Sequence, residues 1–279
     1  QGLTTGAERY MFYLTGGDGA GDNHLKNIVR LGGSASKLHL LLLLAAVNMD
    51  EQALTHLKAL LESMVYYSTV NQIKTNELER LYAQWCKQIR EIHTDEELTS
   101  FINNKIKPTI SQWKVNNRSN FMRIGFDSMQ QYRVKFILAR ITKYVDVRRK
   151  NGGDASNVAE FYEGGIEIEH IMPQKYSAAY GISEDDYNAA KQRLGNLTLL
   201  EKTINASIGD DAFASKSEAY RQSAYYLTRS IAQLDDVGQQ TAINRMNQKL
   251  RSWSSWGPSM IEDRQAILYD LSEEIWNID

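Results

Sequence analysis

The chain of 279 residues has one cysteine, Cys86, and only three prolines. A single cysteine excludes an internal disulfide and any cysteine-rich zinc site, and it suits a reducing, cytoplasmic setting. Long apolar runs are also missing. The longest, residues 38–47, is interrupted by His39 and falls well short of the roughly 20 residues a membrane helix needs. The opening QGLTTGAERYMFYL has neither the basic start nor the apolar centre of a secretory signal. Apolar residues at 42% and charged residues at 24% are ordinary for a soluble globular protein, and the length allows one large domain or two ordinary ones.

Net charge is only −2, but it is unevenly spread. Residues 118–150 hold nine basic and two acidic side chains, whereas residues 151–279 hold 11 basic and 20 acidic. A short basic segment of this kind either holds a polyanion or is a solvated face that balances an acidic neighbour. The glycine-rich stretches GGDGAGD and LGGSAS within residues 16–36 read as loop, giving a flexible N-terminal segment over 1–36. They lack the repeat of a calcium-binding loop and the Gly-Lys-Ser/Thr of a phosphate loop.

Residues 37–113 read as helical, with Leu54, Leu57, Leu61 and Met64 on one face and Leu78, Tyr82, Trp85 and Ile89 on another. Thr94 to Glu97 forms a capping-box pattern, and Pro108 is expected to limit the helix it opens. His39, His56 and His93 have no matching partners nearby in sequence and receive no role. A longer helix is expected over 127–150, with Val134, Ile137, Leu138, Ile141 and Val145 as its apolar stripe. Arg133, Arg140 and Lys143 should lie on its opposite side, with Arg148 and Arg149 at its end, as candidate phosphate contacts for a polyanion. Asn151-Gly-Gly then suggests a boundary, so a helical domain over 37–153 precedes a second domain over 154–279.

The second domain carries the chemistry. Ile166-Glu-Ile-Glu-His170 alternates apolar and charged residues, as a half-buried strand does, and Pro173 should end it. In a regular strand Glu169 and His170 point to opposite faces, so both reach one site only if the chain turns away there. RLGNLTLL is a second strand, followed by a helix through Asn205 to about Tyr226. A final amphipathic helix contains Leu268, Leu271 and Ile275. A neutral imidazole suits a general base, and a carboxylate with an amide carbonyl makes a hard-oxygen ligand pair for Mg²⁺ or Mn²⁺. Trp253 and Trp256 read as core residues or base-stacking residues.

EIEHIMPQ together with GNLTLLEKTIN resembles the HNH nucleases, whose ββα-metal fold runs strand-Glu/Asp-His, strand with Asn, helix with a second Asn. The closer resemblance is to the C-terminal nuclease domain of GmrSD-like and SspE-like modification-dependent restriction enzymes. It rests on His-x-x-Pro, LGNLTLL, the series Asn205, Phe213 and Lys216, and the closing Ile261-Glu-Asp-Arg264 with Ile275-Trp276, and it covers residues 165–279.

The resemblance implies a mostly α fold, a helical bundle preceding and surrounding a small ββα-metal island. It implies a DNA endonuclease of a bacterial anti-phage restriction system. It also implies His170 as general base, Glu169 and Asn205 as ligands of one divalent cation, Asn196 pinning the loop that orients His170, and Lys216 near a phosphate. The family's partner is a ParB-like NTPase and modification-sensing domain. Its Asp-Gly-Gln-Gln-Arg signature is echoed here only by the interrupted 236–241, so that domain is expected outside this sequence. A catalytically silent DNA-binding module and an RNA-directed nuclease of the same fold are the alternatives.

Overall fold

The computed structural model describes residues 2–15, 22–33, 37–236 and 238–278. It is mostly helical, with a single two-stranded antiparallel sheet among the described residues. No helix among them is long and apolar enough to cross a membrane. The chain divides into two compact units, 1–121 with 276–279, and 122–275.

In the first unit the helices are α1 (Gly2–Thr15), α2 (Asn23–Gly32), α3 (Leu38–Ala45), α4 (Glu51–Val70), α5 (Thr75–Ile89), α6 (Asp95–Phe101), α7 (Lys107–Lys114) and α8 (Asn117–Phe121). Two of them correct the expectation of a flexible segment over 1–36. Helix α2 forms because Asp22 Oδ1 accepts from Leu25 N at its start, and Leu25, Ile28 and Leu31 recur at one-turn spacing and are fully buried. Residues 16–21 and 34–36, which hold most of the first glycine-rich stretch and half of the second, lie outside the described residues.

The capping box at Thr94 forms as expected. Pro108, however, does not end the helix. A π-helical turn over Ile102–Ile106 widens the backbone just before it, and α7 continues with the proline in its first turn, where no donor is required. Helix α4 is buried on most sides, and its Glu62 carboxylate takes bonds from His24 Nδ1 (2.7 Å), Asn27 Nδ2 (3.3 Å) and Trp276 Nε1 (3.2 Å). His39 on α3 is 2% exposed, and neither ring nitrogen has a hydrogen-bond partner among the described residues.

The second unit is built from α9 (Gln131–Arg149), α10 (Glu160–Glu163), β1 (Ile166–His170), α11 (Glu184–Gln192), β2 (Leu197–Glu201), α12 (Lys202–Ile208), α13 (Phe213–Tyr220), α14 (Tyr226–Ala232), α15 (Ala242–Asn247) and α16 (Pro258–Ile275). The strands pair with Glu169 opposite Thr198 and His170 opposite Leu197. Along α9, Val134, Ile137, Leu138, Ile141 and Val145 are completely buried, each stabilising by roughly 1.5–3 kcal/mol. They pack on β2, α14, α15 and α16, so α9 joins the second unit, whereas the sequence grouped it with the preceding helices up to 153. The single helix expected from Asn205 to Tyr226 is instead α12 and α13. The chain breaks at Gly209, whose φ of 42° lies in the left-handed region.

Candidate active site

Strand β1 ends where its neighbour stops pairing with it. Ile171 N still reaches Asn196 O (2.9 Å), but Met172 N bonds to the side chain Oδ1 of Asn196 (2.7 Å) and its carbonyl accepts from Asn196 Nδ2 (3.1 Å). Asn196 also donates to Lys191 O (2.9 Å) and accepts from Trp256 Nε1 (2.9 Å). One fully buried amide therefore replaces the lost ladder and leads the chain out of the strand. Glu169 and His170, adjacent in sequence, thereby line one cleft of ≈ 260 Å³ with Glu167, Gln174, Asn205, Asp210 and Lys216.

The loop that carries Asn196 is clamped by α16. A Cβ on Gly195 would stand 2.0 Å from Ile261 O, so the helix backbone packs directly on this residue and only glycine fits. Gln265 Oε1 accepts from Gly195 N (3.2 Å) and Arg193 Nε (3.3 Å). Arg264 Nη1 donates to Gly195 O (2.9 Å) and Leu197 O (2.7 Å). Burial pushes the Arg264 guanidinium down to about 9, because two carbonyl oxygens offset only part of its lost hydration. Trp253 and Trp256 are both buried in the core, Trp256 stacked on Phe213.

Within the cleft, Lys216 Nζ lies 2.6 Å from Glu169 Oε1 and 2.8 Å from His170 O, and it is 1% exposed. Tyr220, one turn further along α13, adds its hydroxyl to the same Glu169 oxygen at 3.0 Å. Burial pushes the Glu169 carboxyl up, opposed by Lys216 and then Tyr220. It pushes the Tyr220 hydroxyl well above its usual range as well, with Glu169 adding to the effect. The His170 imidazole is pushed down to about 4, first by burial and then by the Lys216 and Lys191 cations, with Asp210 opposing. It is therefore uncharged at neutral pH. Its Nδ1 lies 3.3 Å from the Gln174 amide nitrogen, its ring meets Phe126 edge-on, and its own Nε2 is buried with no hydrogen-bond partner among the described residues.

Asn205 bonds through Nδ2 to Glu167 Oε2 (2.9 Å), not to Glu169. Asn205, Glu167 and Glu169, which line the same cleft, offer a hard oxygen donor set. No three His, Cys, Asp or Glu side chains among the described residues converge as a metal site. That set fits Mg²⁺ or Mn²⁺, which bind through one or two protein oxygens and fill their remaining positions with water and phosphate. It does not fit a closed zinc site.

The expected phosphate contacts on α9 divide sharply. Arg140 is buried and donates to Ala155 O, contrary to its expected place on the open face, because one turn of α9 is covered by the segment before α10. Lys143 pairs with Glu160 (2.8 Å), and Arg149 with Asp146 (3.3 Å) and Asp235 (3.7 Å). Arg148 is exposed beside the Tyr144 ring, and Arg133 lies against Tyr132. Sequence reasoning did not find Tyr220, Asp210 or Gln265. For Tyr220 the available signal was its position four residues after Lys216 on the same helix.

The family model described as GmrSD restriction endonucleases, C-terminal domain, matches residues 113–271, a stretch that holds the cleft and its clamp. No protein of curated function matches the chain.

Proposed function

The chain belongs to the GmrSD restriction endonuclease C-terminal domain family, and from that premise we propose that it hydrolyses DNA phosphodiester bonds as an HNH-type nuclease with one divalent cation, Mg²⁺ or Mn²⁺. The observation that carries this reading is the cleft, where an uncharged imidazole, carboxylate and amide oxygens and a buried ammonium meet.

In this reading His170 takes the proton from the attacking water. That requires the proton on Nδ1 and a lone pair on Nε2, and hence the Gln174 amide turned over from the orientation in which its nitrogen faces Nδ1. Asn205, with Glu167 and Glu169, would hold the cation. When bound, the cation neutralises charge building on the scissile phosphate. Lys216 fixes Glu169 to the His170 main chain and adds a positive field on the phosphate side. Asn196 keeps the exit from β1 in place. Arg148 remains the exposed α9 candidate for a phosphate, and Arg133 is half-buried.

As the cutting part of a bacterial anti-phage restriction system, the domain would act with a ParB-like NTPase and modification-sensing domain. Incubating supercoiled plasmid with the chain and Mg²⁺, Mn²⁺ or EDTA tests the proposal. Nicked or linear product is expected with metal and none with EDTA. DNA binding without cutting under any metal would favour a silent binding module, and cutting of RNA alone an RNA-directed enzyme.

A further inference from the structure

In the second unit only two large apolar side chains among the described residues are exposed, Tyr132 at 41% and Tyr162 at 38%. Both lie beside cations. The Arg133 guanidinium lies 5.6 Å from the Tyr132 ring centre and donates to the Tyr132 hydroxyl from Nε (3.1 Å). The Lys135 ammonium lies 5.3 Å from the Tyr162 ring centre. Tyr132 and Lys135 are three residues apart on α9, hence on one face of that helix.

That lysine ties the pair to the cleft. Lys135 Nζ donates to Ile166 O (2.8 Å) at the first residue of β1, and the next residue, Glu167, lines the cleft. The exposed Lys202 ammonium lies 4.0 Å from the same carboxylate. Two cations thus lie beside Ile166 and Glu167, and one of them carries the exposed Tyr162 ring.

Resting on the nuclease reading above, we propose that Tyr132 and Tyr162 form a stacking platform for unpaired nucleobases of the strand whose phosphate enters the cleft, with Lys135, Lys202 and Arg133 following its backbone. An aromatic ring offers a base a face only when that base is not already stacked in a duplex. The platform therefore selects DNA that is single-stranded or locally opened beside the cut. Phosphate contacts alone would hold paired and unpaired DNA without such a preference.

The test is fluorescence anisotropy of the full chain, without added divalent metal, on labelled single-stranded DNA, the same sequence as a paired duplex, an abasic strand and the matching RNA. Tyr162→Ala and Tyr132→Ala should each weaken single-strand binding roughly 5- to 150-fold, the range that 1–3 kcal/mol per stacked base implies. Tyr162→Phe should bind as the parent does, and duplex affinity should be unchanged in all variants. The abasic strand should bind the parent more weakly than the ordinary strand binds either alanine variant. Equal single-strand affinity in parent and alanine variants, with plasmid cutting intact, overturns the platform and leaves the nuclease reading standing. A loss confined to RNA overturns DNA as its occupant. A parent that binds no nucleic acid and cuts none overturns both.

Discussion

The Glu169 carboxylate and the Lys216 ammonium meet at 2.6 Å, and their side chains are 8% and 1% exposed. They come from β1 and α13, so the contact joins the sheet to the helix beyond Gly209. A buried pair of this kind is weak evidence for net stability, because both charges lose their hydration, but removing one partner leaves the other stranded. Lys216→Met should therefore cost about 3–5 kcal/mol, and the Glu169→Gln/Lys216→Met double variant clearly less than the two single losses combined. Urea denaturation of the four proteins measures this coupling. Additive losses would show that the two groups do not depend on each other.

The proposed base and the proposed ligands should respond differently to metal. His170→Ala should lower cleavage by about 10²–10⁴-fold at every Mg²⁺ or Mn²⁺ concentration, since extra cation supplies no base. Asn205→Ala and Glu167→Ala should shift the metal requirement upward and regain part of the activity at high metal, by mass action. Metal titrations of nicking check both. Recovery of His170→Ala but not Asn205→Ala would reverse these roles.

Gly195→Ala should lower the melting temperature and cleavage together, because its methyl group would overlap the Ile261 carbonyl and force α16 off the loop; overpacking of this kind costs about 1–3 kcal/mol or more. Gly152→Ala is the control, since nothing lies within 4 Å of its Cβ position. Asn196→Ala should resemble Gly195→Ala, as it strands the Met172 main-chain groups and the Trp256 indole. Parallel melting curves decide the matter, and equal behaviour of the two glycine variants would remove the clamp from the account.

His39 supplies a pH prediction. Burial pushes its imidazole down to about 4. The unfolded chain takes up a proton near pH 6.5 while the folded chain does not, so stability is full above about 6.5 and falls as pH drops towards 4. This one group accounts for about 3 kcal/mol across that window. His39→Leu should be more stable than the parent at pH 7, having no unpartnered ring nitrogens, and the difference should widen at pH 5. Denaturation midpoints at the two pH values test it. A constant difference would mean that His39 does not titrate in this range.

The sheet and the residues at its end could be read from the sequence because they are encoded locally. Alternation over 166–170 gives the strand, and the helical period gives α9 and α16. What could not be read depends on contacts across many residues. Glu169 is claimed by Lys216 and Asn205 by Glu167, pairings that only the folding of α12 and α13 back onto β1 decides. Arg140 looks like a surface cation by its spacing on α9, yet a segment some 15 residues later covers it. Helix α2 was missed for the opposite reason. Its signal is local, but it is only ten residues long and follows a glycine-rich stretch that dominated the reading.

The clamp from α16 also sets an order in time. Side chains that line the cleft are encoded between residues 167 and 216, whereas Trp256, Ile261, Arg264 and Gln265, which hold its loop, come later. As the polypeptide leaves the ribosome, the reactive groups emerge before the parts that hold them in register. A copy interrupted between the two carries every side chain of the proposed site, with Asn196 and Lys216, but not the helix that clamps its loop. Under the proposed reading, cutting would therefore wait for the last helix, and a chain stopped before Trp256 would hold the site residues without their clamp.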